Sequence, residues 1–405
     1  MNIVIVSILL PYPLNSGGAQ AQFNFIDRLR TKHHVTFVFP ENGQNKLSAM
    51  QELQEMWPEV TFKPYRYVSQ LIDLHFFFSK MIRAFNLKFR ANNERFKIER
   101  ILKPYGYSLN SSFQKFVRNA ISEANANVVQ IEFYPFLPLV DVMPKDVLKV
   151  FIHHEIRYVR NERMLFDFNL TKKEMALRDE VKRYELSCLN KFDRVVTLTQ
   201  NDKDVLENAG VNSPIYVSPA AVDSECKPYS GWNGNISFLG GYGHAPNQEG
   251  MDWFLCDVLP IIEEGTVGKL SINIVGKGWP AEYGIKDDKC EIKRLGFVEH
   301  LSDVVYGTIM IIPILSGSGM RMKILEAAAL GVPFITTTVG VEGLEFRNGE
   351  SCLIADTADD FAKKLTLLMS DEMLRQRLAK TAAKIFAENY SVEGLSEVRN
   401  KVYLQ

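Results

Sequence analysis

Pro313-Ile-Leu-Ser-Gly-Ser-Gly-Met-Arg-Met-Lys-Ile-Leu-Glu-Ala-Ala-Ala-Leu-Gly331 is the stretch on which the reading of this chain turns. It follows an apolar run from Ile309 to Leu315 that reads as a buried strand. Ser316-Gly317-Ser318-Gly319 is too small and polar for core and reads as a loop. From Met320 the spacing of Ile324, Leu325, Ala327 and Ala328 predicts a helix that stops at Gly331. Strand, glycine turn and helix in that order leave backbone N–H groups at a helix start with little bulk before them. That is a receptive place for nucleotide phosphates.

The first helical turns carry Arg321 and Lys323, with Glu326 three residues beyond Lys323 on the same face. A cation for a diphosphate beside a carboxylate for ribose hydroxyls is one reading of that face. The plainer one is an exposed Lys–Glu pair worth under about 1 kcal/mol. The next segment tips the balance toward binding. Val332 to Thr338 reads as another strand, and Val339-Gly-Val-Glu-Gly343 closes it with a second glycine loop. Two such loops at strand C-termini of one parallel sheet make a ligand crevice.

The chain has 405 residues, enough for two domains, with a net charge of −1 that gives no reason to expect a nucleic-acid partner. Its five cysteines stand at 188, 226, 256, 290 and 352, never in CxxC spacing. They point to a reducing compartment without a disulfide framework or a zinc ribbon. The apolar start at Met1–Leu10 has no basic flank and meets Pro11 and Pro13, so it reads as a first strand and not as a signal peptide. No stretch has the roughly 18 apolar residues of a membrane span. A soluble, cytoplasmic protein is expected.

The first strand leads into Pro11–Gln20, a loop with Gly17 and Gly18, then a helix from Ala21 to Leu29 and a strand at Val35–Phe39. This βαβ opening predicts a parallel sheet. At the end of that first strand, Gly17 and Gly18 read as a close approach of backbone to substrate. From Gln44 to Ser122 the strand signal fades into helical pattern. Residues 71–97 mix Phe76, Phe77, Phe78, Phe85 and Phe89 with Lys80, Arg83, Lys88 and Arg90. That mixture fits aromatics buried against the domain, or a face resting peripherally on the inner, anionic surface of a membrane.

Strands resume at Val128–Ile131 and at Val147–Ile152, the latter ending in His153-His154-Glu155. Polar groups after a buried strand are candidates for catalysis, here His154, with His153 second. Arg157 and Tyr158 stand where a zinc motif would need other residues. Asp202-Lys-Asp204 reads simply as acid in a first helical turn. Lys227 to Asn235 reads as a linker, after which a second α/β series starts with Ile236–Leu239 and the loop Gly240-Gly-Tyr-Gly-His-Ala-Pro-Asn247. Strands follow at Leu270–Val275 and Ile292–Leu295, and helices at Thr357–Met369 and Asp371–Glu388, before a tail from Tyr390. The expected fold class is α/β with two Rossmann-like domains facing across a cleft. The expected boundaries are 1–226 and 227–388, with residues 389–405 returning to the first domain.

Taken together, these residues resemble the glycosyltransferases of the two-Rossmann (GT-B) fold, in particular glycosyltransferase family four. The likeness runs through Gly17-Gly18, His154, Val195-Val-Thr-Leu-Thr199 with Asp202, and Pro219-Ala-Ala-Val-Asp223. It is strongest in Gly-x-Gly-x-Arg-x-Lys-x-x-Glu-Ala, followed by Gly-x-Pro and Gly-x-Glu-Gly. The resemblance implies a nucleotide-diphosphate sugar such as a UDP-sugar as donor, held by the C-terminal domain. It implies a glycan, lipid-linked or protein acceptor on the N-terminal domain, retention of configuration, no cofactor and no metal. Two positions depart from the family pattern. Ser318 stands where a Glu is usual, and Tyr242 and His244 follow Gly240-Gly241 where Arg and Lys are usual. Arg321 and Lys323 are placed to supply the diphosphate charge instead. On this reading His154, Lys323 and Arg321 are catalytic, while Gly17, Gly18, Gly240, Gly241, Ser318, Gly319, Glu326, Gly340 and Glu342 contact the donor. The same layout would also serve a nucleotide-sugar 2-epimerase or a non-catalytic nucleotide-sugar-binding subunit.

Overall fold

The computed structural model describes residues 1–14, 17–41, 47–66, 94–103, 109–222, 227–265, 270–284, 290–317 and 320–404. They fall into two compact units. The first comprises Met1–Pro13, Ile26–Val217 and Val402–Gln405, and the second Leu14–Phe25 and Ser218–Lys401.

The first unit is built on seven parallel strands: β1 (Asn2–Ser7), β2 (His34–Glu41), β3 (Thr61–Arg66), β4 (Val128–Glu132), β5 (Leu148–His153), β6 (Arg194–Thr197) and β7 (Ile215–Val217). Their order is β3-β2-β1-β4-β5-β6-β7. The run Ile3–Val6 is wholly buried, as a strand covered on both faces must be. The chain works outward from β1 in one direction and from β4 in the other, so the topological switch lies between β1 and β4. Ligands of such sheets bind beyond the strand C-termini at that point. Residues 44–122 are not purely helical as the sequence predicts, because β3 lies among them. Its sequence, Thr-Phe-Lys-Pro-Tyr-Arg, is half exposed and carries Pro64. An edge strand tolerates both, since one side of its ladder needs no donor.

The second unit has six parallel strands: β8 (Asn235–Leu239), β9 (Leu270–Val275), β10 (Cys290–Gly296), β11 (Ile309–Ile312), β12 (Phe334–Thr336) and β13 (Leu353–Ile354). Their order is β10-β9-β8-β11-β12-β13, which puts the switch between β8 and β11. All four residues of β11 are fully buried. Within the tail from Tyr390, Val392–Leu404 forms a helix.

Among the described residues no helix is long and apolar enough to cross a membrane. Most of the 71–97 segment, namely residues 71–93, lies outside the described residues. Its last residues open the Glu94–Ile101 helix, which buries Ile98 and Ile101.

Candidate functional site

In the second unit the strand, turn and helix predicted around Gly317 are present, with shifted bounds. β11 ends at Ile312, and the helix spans Met322–Ala329 with Arg321 as its N-cap residue. Gly317 has φ of +104°, a conformation that glycine adopts without strain. Arg321 is buried and donates from Nη2 to the Gly317 carbonyl at 3.2 Å, tying the helix start to the loop. Gly331 has φ of +62° and ends the helix as the sequence predicts. Ser318 and Gly319 lie outside the described residues.

Lys323 and Glu326 share a helical face, yet each is partnered from elsewhere. Lys323 Nζ donates to Asn247 Oδ1 at 2.6 Å and lies 4.8 Å from the centre of the Phe238 ring. Glu326 accepts a hydrogen bond from the side chain of Gln20, on the Leu14–Phe25 segment that packs with this unit. The plainer alternative, an exposed Lys–Glu pair, is not what forms: two amide contacts stand in its place. Burial pulls the Lys323 ammonium down to about 7, against the attraction of Glu326 and with help from neighbouring Arg321. Burial likewise pushes the Glu326 carboxyl up to about 7, resisted by Gln20 and Lys323. Desolvation disfavours whichever form is charged, so an acid and a base meet near neutrality. Such groups mark candidate functional sites when they sit at a ligand crevice.

Asn247 joins the two sides of the switch. It is buried in the Ala245–Trp253 helix that follows β8, and its Nδ2 donates to the Gly241 carbonyl at 2.9 Å. One amide thus spans from the β8 loop to the cation after β11. Crowding at Gly240 comes from the Asn247 side chain and at Gly276 from backbone. A Cβ on Gly240 would lie 2.5 Å from Asn247, and one on Gly276, at the end of β9, 2.4 Å from the Gly240 carbonyl oxygen. Gly241 and Lys277 approach closely too, and Tyr242 N donates to the Lys277 carbonyl at 2.9 Å. After β12, a Cβ on Gly340 would come 2.0 Å from Thr336 Oγ1, and Gly340 N donates to Thr337 Oγ1 at 3.0 Å. Glu342 lies in the same turn, its N–H directed at the Val339 carbonyl at 3.4 Å. The crevice predicted between the β11 and β12 loops has its topological switch on the other flank of β11, beside Gly240 and Asn247.

Gly17 and Gly18 do not sit in a loop. They open the Gly17–Leu29 helix, which starts four residues earlier than its apolar spacing predicts.

In the first unit the two histidines after β5 separate. His153 is 1% exposed, and its Nε2 lies 3.1 Å from Glu185 Oε1. Glu185, itself fully buried, also accepts from the backbone N–H groups of Arg157 at 3.1 Å and Tyr158 at 3.0 Å. It thereby caps the Arg157–Met164 helix, whose own N-cap residue, Ile156, offers no side-chain acceptor. His153 belongs to that structural cluster. His154 instead stacks on Phe133, with ring centres 4.0 Å apart and planes 16° apart, and its Nε2 pairs with Glu132 Oε2. Phe133 is one of two non-glycine residues with positive φ among the described residues, at +67°. Strained backbone of this kind collects at functional sites. Behind His154 a buried chain continues: Gln130 Nε2 donates to Glu132 Oε1, and the Tyr403 hydroxyl donates to Gln130 Oε1. The carboxylate fixes the ring's orientation, and the amide and the phenol fix the carboxylate. Gln20, Glu132, Gln130, Asn247 and Tyr403 have no role in the sequence reading, although Glu132, Gln20 and Asn247 each stand at the end of a strand or loop that it marks. Among the described residues no group of three or more His, Cys, Asp or Glu is placed to hold a metal ion.

Comparison with known proteins gives this arrangement a setting. Residues 233–371, most of the second unit, match the family described as Glycosyl transferases group 1. An uncharacterized 44.6 kDa protein in the cps region of Klebsiella pneumoniae is 22% identical over 405 residues, covering 96% of each chain. Among solved structures, the sucrose-phosphate synthase of Thermosynechococcus elongatus superposes with a TM-score of 0.68 at 12% identity, over 100% of this chain and 99% of that one. HepE of Anabaena, solved in complex with UDP-glucose, gives a TM-score of 0.65 at 11% identity over the whole of both chains. The two units are those of the GT-B fold.

Proposed function

We propose that this protein is a glycosyltransferase that moves a sugar from a nucleotide-diphosphate sugar, a UDP-sugar, to an acceptor, with retention of configuration and without a metal. The observation that carries the reading is the Lys323–Glu326 face. An acid and a base, both poised near neutrality by burial, stand after β11 at the switch point and are held by amides from the β8 loop side and from Gln20. The match of residues 233–371 to group 1 glycosyl transferases and the UDP-glucose in HepE support it.

Sugar transfer breaks an anomeric C–O bond through an oxocarbenium-like state while the nucleoside diphosphate departs. The growing charge on the leaving phosphate must be met by donors already in place. That task falls to Lys323, to Arg321, and to backbone N–H groups at the start of the Met322–Ala329 helix. Glu326 accepts from ribose hydroxyls, and the turn bearing Gly340 and Glu342 borders the same donor. The glycines at 17 and 18, opening a helix, offer N–H groups to the donor. In the first unit, His154 is the group for the sugar or acceptor hydroxyl, its ring held by Phe133 and Glu132. Arg321 and Lys323 take the place of the usual cations after β8, whose loop is filled instead by glycine crowding and Asn247.

Calorimetric titration with UDP, followed by incubation with UDP-sugars and product analysis, tests this. Saturable UDP binding that Glu326→Ala weakens, with slow donor hydrolysis or transfer, is the expected result. No UDP binding to folded protein, or release of an epimer from donor alone, overturns it.

A further inference from the structure

The helix that follows β8 lies against the turn that follows β11. A Cβ on Gly250 would fall 1.8 Å from the Pro313 carbonyl oxygen, and one on Gly317 would lie 3.5 Å from Pro246. Asn247 holds Lys323, and two residues further along the helix Glu249 Oε2 accepts from the hydroxyl of Ser316. Ser316 immediately precedes Gly317, whose carbonyl receives Arg321. One short turn therefore carries a guanidinium on one residue and a carboxylate on the residue before it.

The helix itself gains little from that carboxylate. Glu249 is the fifth residue of the Ala245–Trp253 helix, past the first turn in which an acid stabilises the dipole. It is exposed, and Ser316 Oγ is its one hydrogen-bond partner among the described residues. A single bond to an exposed group adds little stability. From Pro313 to Leu325 the sequence holds no acid, so Glu249 brings to the turn a negative group that the turn lacks.

We infer that Glu249 reads the hydroxyls of the donor's sugar and determines which sugar is accepted. The inference deepens the transferase reading above and rests on it. A nucleotide-diphosphate sugar presents ribose hydroxyls, then two phosphates, then sugar hydroxyls. The second unit presents the carboxylate of Glu326, the cations Lys323 and Arg321, and a second carboxylate at Glu249. A carboxylate repels phosphate, so Glu249 belongs with the uncharged, hydroxyl-bearing end of the donor. An ionised carboxylate only accepts, through two oxygens, and each sugar hydroxyl can donate. Oε2 takes the Ser316 hydroxyl, and Oε1 is left for another. Bonds to a charged acceptor are the stronger kind, and a sugar whose hydroxyl points elsewhere forfeits them.

Titration calorimetry on the full chain tests this, with UDP, UDP-glucose, UDP-galactose and UDP-N-acetylglucosamine as probes. Glu249→Gln should keep UDP affinity within about twofold and weaken the tightest of the three UDP-sugars about tenfold, the scale of one charge-assisted hydrogen bond. Ser316→Ala separates reading from tethering. It removes the tie between helix and turn but keeps the carboxylate, so that UDP-sugar should bind as well as to wild type or better. Wild-type affinity for it in Glu249→Gln overturns the proposal. So does an equal loss in Ser316→Ala, which would make Glu249 a strut for the turn. An equal loss of UDP and UDP-sugar in Glu249→Gln also overturns it, as does a wild type that binds UDP and none of the three sugars. Failure of the wild type to bind UDP would instead strike the transferase reading, and the UDP isotherm tells the two failures apart.

Discussion

Replacing Lys323 by Met should abolish the pH dependence of nucleotide binding as well as weaken it. In the free protein the Lys323 ammonium titrates at about 7 because burial disfavours its charge. A diphosphate beside it supplies the missing counter-charge, so the bound form keeps the proton well into the alkaline range. Half of the free molecules hold that proton at pH 7 and about one in a hundred at pH 9, one factor of ten per pH unit above the midpoint. UDP affinity should therefore fall about 50-fold between pH 7 and 9, a range above the phosphate ionisation near 6. Calorimetry in two buffers of different ionisation enthalpy would show close to one proton taken up at pH 8. In Lys323→Met the affinity should be low and flat across that range, with no proton uptake, and turnover should drop by about 10²–10³. Glu326→Gln separates the two groups, because it should keep the slope. Persistence of the slope in Lys323→Met, or its loss in Glu326→Gln alone, would refute the reasoning.

The same two groups set a stability signature in the unliganded protein. Lys323 titrates below its ordinary 10.5, so the unfolded chain holds the extra proton between about 7 and 10.5 and stability rises with pH there. Glu326 titrates above its ordinary 4.5, so the folded chain holds the extra proton between 4.5 and about 7 and stability falls with pH there. The melting-temperature difference between wild type and the Lys323→Met/Glu326→Gln double variant should dip near pH 7; a flat difference counts against the burial argument. Glu185→Ala should lower stability by about 3 kcal/mol or more, measured by urea unfolding, since it strands His153 and the N–H groups of Arg157 and Tyr158. Tyr403→Phe should cut kcat on the order of tenfold with donor KM unchanged, by loosening the chain that orients His154, and the Glu132→Gln variant should follow it. Unaltered kcat in both would detach that chain from the chemistry.

The parallel sheets and the strand, loop and helix around Gly317 were readable from sequence because each rests on local pattern. Ile309–Ile312 is apolar without interruption, Gly317 permits the positive φ, and Gly331 stops the helix. Other features were hidden for equally local reasons. β3 carries Pro64 and alternates basic residues with aromatics, so its pattern resembles surface more than strand. The helix at Val392–Leu404 has a weak apolar stripe and lies at the chain end. The histidines show a further limit. Two adjacent residues leave a strand on opposite faces, so one of the pair meets Glu185 and the other meets Glu132 and Phe133. Nothing in the dipeptide tells which is which. Long-range partners were beyond reach altogether: Lys323 and Asn247 are 76 residues apart, and Tyr403 and Gln130 are 273 apart.

The identity of those partners explains how the Lys323–Glu326 face can be charged, half-buried and, on the proposed function, still receptive. A Lys323–Glu326 ion pair would have stabilised both charges mutually, and an arriving diphosphate would then have had to displace the carboxylate. Amides avoid this, because Asn247 and Gln20 fix the two side chains in place without cancelling their charge. The cost appears as the shifts toward neutrality, and a ligand that brings its own negative charge reverses the shift at Lys323. On the proposed function, the arrangement would favour diphosphates over uncharged ligands through desolvation itself. The first unit uses the same device. Gln130 satisfies one oxygen of the buried Glu132 and leaves the other to His154, so an uncharged amide again sets the geometry around the ring that the proposed function assigns to the sugar or acceptor hydroxyl.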